Sequence, residues 1–285
     1  MTRAFDDRIV RVGITIDGET SIYDQVMIYA RGTKWRSAIM SQCDIRIFNL
    51  TAENQRNILT KASPIARPPA ELTPITVTLD VGRVSYGTYR LFEGAVFQGG
   101  VGQPPDIGIA LQSLTNNFQL ANTTAVSLPA YATLRQICNQ AAKSMGLTLL
   151  LISANPERLV GNFSFTGSPQ RNLEKINQLG VIAHIDNNVL VVTDPNQPRT
   201  DTERVINSST GMVGVPQPTA YGCVVQVMAD NTIDVGGLVK IESQQNPACD
   251  GQYIVQKMDF EVSNRDQPFW YTLDCINPEF FTGTL

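Results

Sequence analysis

Histidine is almost absent from this sequence: His184 is the only one in 285 residues. A histidine-ligated metal cluster needs several imidazoles, and a Ser-His-Asp triad would depend on this one residue. No G-x-S-x-G turn is present to carry a nucleophilic serine. His184 stands in the apolar segment VIAHI, which indicates a structural histidine with satisfied hydrogen bonds on a strand.

The sequence also lacks clusters of basic residues. Lys and Arg number 22 against 26 Asp and Glu, so the formal net charge is −4 at pH 7. Nucleic-acid binding through the phosphates needs a basic stripe that displaces counterions. We therefore expect no sequence-specific nucleic-acid partner.

Long apolar segments are missing as well. The longest, Leu147–Ile152, is far shorter than the roughly 20 residues that cross a bilayer. The N-terminal segment MTRAFDDRIVRV contains no apolar stretch of the kind that forms a signal peptide. We expect no membrane insertion and a protein that is made and folded in the cytoplasm.

Cysteines are few and form no metal or disulfide pattern. None of them belongs to a C-x-x-C motif, and their odd number and wide spacing argue against a disulfide framework. They are Cys43, Cys138, Cys223, Cys249 and Cys275. Free, buried thiols in a reducing compartment are therefore expected.

Loops that bind phosphate or calcium are not indicated either. The segment Gly99–Gly102 lacks the third glycine of the G-x-G-x-x-G pattern and a following Lys-Ser/Thr pair. Prolines follow it where a helix would begin. The acidic residues Asp6, Asp7, Asp44 and Asp80 have no calcium-loop pattern around them. We expect no cofactor and no metal.

What the chain does contain is alternation of apolar and polar residues, the pattern of strands with one buried face. Near the N-terminus the candidate strands are 8–16, 22–30, 43–48, 75–81, 89–98 and 107–115. One short helix is predicted after the third strand, where Thr51 is placed to cap it and Glu53 complements its positive end. This combination favours an antiparallel β-barrel or β-sandwich.

A helical pattern begins near residue 128. Thr133 precedes a segment with helical spacing of apolar residues, and Gly146 ends it. Ser168 followed by Pro169 opens a second helix. The segments VIAHI and VLVV then form a hairpin across 186–188. This order predicts a small α/β module.

A polar linker at 195–202 leads back to β patterning. The candidate strands there are 220–229, 233–235, 238–242, 252–263 and 269–276. We predict a mainly β, α+β protein in which two antiparallel β domains, 1–126 and 199–285, flank an α/β domain at 127–198. No sequence repeat links the two β domains beyond their shared patterning.

The order of these segments resembles that of the baseplate hub proteins of contractile-tailed bacteriophages. The resemblance begins in the segment CDIRIFNLTAENQRNILT and continues through an alternating strand into LFEGAVFQGG. Near the C-terminus the segments GMVGVP, GLVKI and DGQYIV resemble the closing barrel of that family. The resemblance covers residues 8–195, where the segments follow the family's order well, and residues 210–276, where they follow it more loosely.

The resemblance implies two tail-tube-like β-barrels per chain and a homotrimer that forms a pseudo-sixfold ring. Such a ring adapts the hexameric tail tube to the trimeric central spike, and baseplate wedge or other tail proteins surround it. It implies a structural protein without catalytic activity. The resemblance also implies that the protein is located in the baseplate of the virion tail, which is assembled in the host bacterial cytoplasm.

We predict that the interfaces lie on the exposed sides of the strands at 89–98 and 252–263 and in the proline-rich loop. The candidate interface residues are Phe92, Phe97, Pro68, Pro69, Tyr253 and Trp270. One alternative is a carbohydrate- or receptor-binding β module of a phage tail tip, with Trp35 or Trp270 as its platform. The other is a virion-associated peptidoglycan hydrolase, with an acid pair drawn from Glu53, Glu93, Glu157 and Glu242.

Overall fold

The computed structural model describes residues 6–62, 75–102, 107–115 and 124–282, and this part of the chain is mainly β. The strands are β1 Arg8–Ile16, β2 Glu19–Tyr23, β3 Ile28–Trp35, β4 Gln42–Phe48, β5 Thr76–Arg83, β6 Gly87–Val101, β7 Gly108–Leu114, β8 Thr124–Ser127, β9 Tyr131–Thr133, β10 Thr148–Ile152, β11 Leu159–Gly161, β12 Ser164–Gly167, β13 Ile182–Asp186, β14 Val189–Thr193, β15 Arg204–Ile206, β16 Met212–Pro218, β17 Gly222–Met228, β18 Leu238–Ile241, β19 Gly251–Ser263 and β20 Phe269–Ile276. The helices are α1 Ala52–Ala62, α2 Leu134–Ser144 and α3 Pro169–Asn177, and short 3-10 turns lie at Pro247–Cys249 and Pro278–Thr282.

The first β unit consists of β1 to β7. Its strands pair in the order β1-β5-β6-β7-β4-β3, and β2 adds to the outside of β1. All these pairs are antiparallel, as the alternating sequence predicts. Thr51 caps α1 by accepting a hydrogen bond from the Asn54 amide at 3.3 Å, also as predicted. The segment predicted as one strand at 22–30 divides instead into β2 and β3, because the chain turns at 24–27 to reach different partners.

The second β unit consists of β15 to β20. Its strands pair in the order β15-β18-β19-β20-β17-β16. The segment 233–235, predicted as a strand, is a turn instead, in which the carboxylate of Asp234 accepts a hydrogen bond from the next amide.

The two β units share one strand order. If the six strands of each are numbered along the chain, leaving β2 aside, both read 1-4-5-6-3-2. Equivalent positions follow from the pairing: Cys43 faces Ser113 in the first unit as Cys223 faces Cys275 in the second. The fifth strand of each is irregular against the sixth at the same place, beside Val96 and beside Val255. The first pair differs, because β1 and β5 are antiparallel whereas β15 and β18 are parallel.

The β units join through β19 and β3. Their ladder runs from Lys257 opposite Trp35 to Ser263 opposite Tyr29 and produces one 13-stranded sheet. Buried residues of both units belong to a single hydrophobic cluster. Within the described residues the sheet is open: its main path ends at β16 and β2, and a branch through β18 ends at β15. The two closed barrels that the resemblance implied are not found in this part of the chain.

The α/β module between the two units has its own hydrophobic cluster. Its sheet has the order β10-β14-β13, with β10 and β14 parallel, and two β ribbons, β11-β9 and β12-β8, lie beside the helices. Thr133 and Gln136 form a capping box at the start of α2, and Ser168 caps α3. Gly146 has φ +67° after α2, as the predicted helix end requires.

Candidate assembly surface

Eight strands of the large sheet form a continuous layer, which we call the eight-strand layer. Its order is β6-β7-β4-β3-β19-β20-β17-β16, so each β unit contributes four strands. Alternate residues such as Ile45, Phe260 and Leu273 are buried in the core. The residues between them face away from the core and are mainly polar, so the layer presents a hydrophilic face.

The centre of this face is a shallow groove above the β19-β3 ladder. It is lined by Tyr29, Arg31, Gly32, Thr33, Gln42, Asp44, Asp259, Phe260, Glu261, Trp270 and Thr272. Tyr29 donates a hydrogen bond to Glu261 at 2.5 Å, and Thr33 donates one to Asp259 at 2.6 Å. Burial, followed by the contact with Glu261, raises the pKa of Tyr29. These contacts connect the two β units on the polar face as well as through the backbone.

A buried charged cluster lies behind this layer and ties it to the α/β module. Lys34 Nζ lies 2.7 Å from Asp186 Oδ1 and 2.6 Å from Asp234 Oδ1. Arg199 bridges the same two carboxylates at 2.5 and 3.0 Å. Burial alone would raise the pKa of Asp186, but the Lys34 and Arg199 cations outweigh it and hold that pKa below its ordinary value.

Arg36 completes this junction. Its buried guanidinium donates to Thr193 Oγ1 at 2.8 Å and to the carbonyl oxygens of Asp194, Pro195 and Gln197 at 3.1, 3.1 and 2.9 Å. Burial lowers the pKa of Arg36 to about 10, so the side chain stays charged at neutral pH. The end of β14 and the following linker are therefore fixed to the large sheet.

His184 lies on β13 and is buried, which agrees with a structural role. Neither ring nitrogen has a hydrogen-bond partner in the described part of the chain, so the prediction of satisfied hydrogen bonds is wrong. Burial lowers the pKa of His184 to about 3. The ring is therefore neutral at physiological pH and is shielded from any substrate.

The predicted interface residues fall into three groups. Phe97 lies at the irregularity of β6 with 40% of its surface exposed, and Trp270 is half-buried in the groove. Phe92 and Tyr253 are core residues, which corrects their expected exposure; Tyr253 donates to the Cys249 carbonyl at 3.1 Å. β6 is irregular against β5 as well, so Leu91 and Phe92 both point inward. Pro68 and Pro69 lie outside the described residues.

Of the residues weighed for the two alternatives, Trp270 lines the groove of the eight-strand layer and the others lie outside it. Trp35 lies beneath the Lys257 ammonium, 5.0 Å from ring centre to nitrogen, and so is no free platform. Three of the candidate acids occupy separate ion pairs, which are Glu93–Arg90, Glu157–Arg135 and Glu242–Lys240. Glu53 is exposed on α1. Among the residues described, no group of three His, Cys, Asp or Glu side chains could hold a metal.

No helix in the described ranges combines the length and apolar character needed to span a membrane.

The buried charged cluster around Lys34 is the feature of the structure that the sequence patterns did not reveal. A signal was present, since Lys34 is in phase with the buried Ile28 and Ala30 on β3. Its partners are distant in sequence and could not be found by spacing.

Comparisons with known proteins identify a family and several solved structures that are similar to this chain. The model of the baseplate hub gp41 family matches residues 9–275. No curated protein sequence matches the chain. Among solved structures, the 43 kDa tail protein of prophage MuSo2 from Shewanella oneidensis is similar, with a TM-score of 0.64 and 12% sequence identity. The superposition covers 95% of this chain and 98% of the MuSo2 protein.

Two further structures have similar folds. A tail protein from Neisseria meningitidis MC58 has a TM-score of 0.65 at 11% identity, covering 96% of this chain and 98% of its own. The E. coli c3393 protein, a type VI secretion component described as similar to the T4 tail proteins gp27 and gp5, has a TM-score of 0.57 at 11% identity. The superposition covers 92% of this chain and 76% of the c3393 protein. The chain belongs to the baseplate hub gp41 family and is a component of a bacteriophage tail.

Proposed function

We propose that the chain forms a homotrimeric hub whose pseudo-sixfold ring joins the hexameric tail tube to the trimeric central spike. The observation that carries this proposal is the shared strand order of the two β units, which lie side by side in one sheet. Two equivalent units per chain, taken three times, provide six similar positions for the tube. The other face of the ring keeps true threefold symmetry for the spike.

The eight-strand layer is the part of each chain that we assign to the ring. It contains four strands from each unit in the same relative order, so every unit presents the same backbone path. We assign the units to tail-tube-like domains at 1–126 and 199–285 and the α/β module to a domain at 127–198. Baseplate wedge or neighbouring tail proteins would contact the outside, and we assign no reaction to the chain.

The experiment is a mass measurement of the purified chain, alone and with the trimeric spike protein of the same phage. We expect a species of three chains in the presence of the spike. Two-dimensional class averages of that species should have six similar lobes around a channel. A chain that stays monomeric at micromolar concentration with the spike present would contradict the proposal.

A further inference from the structure

Two buried thiols face each other in the second β unit. Cys223 on β17 and Cys275 on β20 are opposite each other in the antiparallel ladder, and both side chains are buried. Opposed residues of such a ladder point to the same face of the sheet. The two thiols are therefore neighbours in the core, where the Cys275 thiol donates a hydrogen bond to the sulfur of Cys223.

The ladder places the two sulfurs within reach of a disulfide bond. Opposed residues of an antiparallel pair have Cα atoms roughly 4.5–5.5 Å apart. A disulfide spans Cα distances of about 4.4–6.8 Å. The strands approach each other closely here, because a Cβ on the neighbouring Gly222 would collide with the Cys275 carbonyl oxygen. The two sulfurs can therefore be joined without moving either strand out of the ladder.

The equivalent place in the first β unit shows that the fold does not require this pair. Cys43 on β4 faces Ser113 on β7, and the Ser113 hydroxyl donates to the Cys43 carbonyl oxygen at 2.8 Å. Burial raises the pKa of Cys43 well above its ordinary value, so this thiol stays protonated. The same strand order thus contains one inert thiol in the first unit and a pair of thiols in the second.

A third thiol lies close by but is engaged elsewhere. Cys249 is near enough to Cys223 that burial, followed by the Cys223 sulfur, raises its pKa. Its thiol donates to the Pro216 carbonyl oxygen at 3.7 Å, and the Asn246 side chain donates to its sulfur at 3.4 Å. Cys275 is therefore the partner that the geometry gives to Cys223.

The turn that contains Cys249 separates the thiols from solvent. Pro247 and Ala248 of this turn are exposed, so solvent lies one short turn away from the buried sulfurs. Local opening of such a segment costs less free energy than global unfolding. A small oxidant such as hydrogen peroxide can therefore reach the thiols while the chain remains folded.

The two thiols differ in acidity, which gives them separate roles. The hydrogen bond from the Cys275 thiol lowers the pKa of Cys223, whereas the same contact, followed by burial, raises the pKa of Cys275. The thiolate is the form that attacks an oxidant. Cys223 is therefore the attacking sulfur, and Cys275 is the sulfur that resolves the product.

We propose that Cys223 and Cys275 form an oxidisable pair, which becomes a disulfide between β17 and β20 when the tail meets oxidants outside the host cell. Thiols are kept reduced in the cytoplasm, whereas disulfides persist at virion surfaces. This chain is a component of a virion tail, so it passes from the first environment to the second. The pair lies within one chain and does not depend on the proposed ring.

Hydrogen peroxide is the oxidant for which the reaction balances. The Cys223 thiolate attacks one peroxide oxygen, the O–O bond breaks, and the departing hydroxide takes up the Cys223 proton to give water. The Cys275 sulfur then attacks the sulfenic sulfur of Cys223, the S–O bond breaks, and a second water leaves with the Cys275 proton. Two thiols lose two electrons in total, and one peroxide is reduced to two waters.

The disulfide would join two adjacent strands of the eight-strand layer. A cross-link between residues distant in sequence restricts the unfolded chain more than the folded one. The chain can therefore fold and assemble in reduced form, and oxidation then stabilises its second β unit in the finished particle.

Peptide mapping of the native chain tests the pair without any substitution. The purified chain is reduced, freed of reductant, treated with hydrogen peroxide and alkylated in denaturant. We expect free thiols to fall from five to three, with Cys223 linked to Cys275 in the same chain and Cys43, Cys138 and Cys249 alkylated. Retention of all five thiols, or their loss without a Cys223–Cys275 link, would overturn the proposal.

Thermal unfolding of the reduced and oxidised chain tests the stabilising effect. Oxidation should raise the midpoint by about 5 °C. The rise should be absent in Cys275→Ala and should persist in Cys138→Ala, a buried thiol of α2 in the other hydrophobic cluster. A mapped link without a rise would overturn the stabilising role, and a rise that persists in Cys275→Ala would exclude the pair as its source. The mapping of the native chain decides the existence of the link even if Cys275→Ala does not fold.

Discussion

Lys34 is a charged residue in a position that the strand pattern reserves for apolar side chains. Its side chain and that of Asp186 are each only 3% exposed, so neither ion can be solvated if its partner is lost. Such a pair contributes little when intact, but breaking it leaves an uncompensated buried charge. The cluster around Lys34 therefore fixes the position of the α/β module against the sheet.

Replacing Asp186 by Asn should lower the free energy of unfolding by about 3 kcal/mol, because Lys34 loses a buried counter-charge. Urea unfolding followed by circular dichroism measures the change. The matched control is Asp44→Asn, whose partner Arg31 lies 3.4 Å away on the open surface. That exposed pair should contribute less than about 1 kcal/mol, and an equal loss in both variants would contradict this account.

The same residue predicts a dependence on pH. The pKa of Asp186 is lower in the folded than in the unfolded chain, so its contribution is present above about pH 4 and is lost as the pH falls through the folded value. The stability difference between the native chain and the Asp186→Asn variant should therefore shrink below about pH 4. A difference that stays constant down to pH 2 would exclude this origin.

His184 predicts a second pH dependence, at higher pH. Burial lowers its pKa to about 3, so below the unfolded value of about 6.5 only the unfolded chain gains a proton. Stability should fall between about pH 6.5 and pH 3, by up to about 1.4 kcal/mol per unit from this group. In the His184→Met variant, the part of the dependence of stability on pH that comes from this histidine should disappear. Urea unfolding at several pH values would measure the difference, and an unchanged dependence would show that other groups cause it.

At the scale of elements, local signals were the dependable ones. Thr133, Ser168 and Gly146 mark helix ends by chemistry that acts within one turn, and the structure confirms them. Side-chain phase was less dependable, because an irregularity shifts every later residue of a strand to the other face. Phe92 directly follows the irregularity of β6 against β5, so it and Leu91 both point inward, and a residue expected at an interface is buried instead.

The β19-β3 ladder is tight enough to test with one methyl group. A Cβ on Gly32 would lie 2.3 Å from the Gln42 carbonyl oxygen and 2.4 Å from the Phe260 ring. Gly32→Ala should therefore destabilise the chain by about 1–3 kcal/mol, measured by thermal unfolding. Gly100→Ala is the control, since nothing lies within 4 Å of its Cβ, and it should shift stability by less than about 0.5 kcal/mol. Equal effects would exclude close packing as the cause.

At the scale of the whole molecule, two hydrophobic clusters are connected by a polar junction. The α/β module has one cluster and the two β units share the other. Arg36, with four hydrogen bonds to the module end and its linker, is a major tie between them. Cooperative unfolding of the chain should therefore depend on this residue.

Calorimetry of the native chain should give one transition. Arg36→Met keeps a long apolar stem but leaves the acceptors of the linker unpaired, so the module should melt separately and at lower temperature. The control is Arg46→Met, whose side chain is exposed on the polar face of the same sheet. Two transitions in the native chain, or one in Arg36→Met, would contradict this role.

The mainly β class and the intervening module could be predicted from the sequence, because alternation and helical spacing are local properties. The shared strand order could not, because pairing depends on contacts between distant residues. Cys43 and Cys223 occupy equivalent positions, yet their surroundings CDIRIF and CVVQVM share little beyond apolar alternation. Only the ladder pairings reveal that the two paths are the same.

The two β units have the same strand order but different side chains, and this affects how the sequence of such a protein can evolve. A substitution in one β unit has no counterpart in the other, so in the proposed ring it recurs at every second position only. One half of the positions can adapt to a new neighbour while the other half preserves the old fit. The duplication thereby allows a sixfold-facing surface to evolve in two independent sets of three.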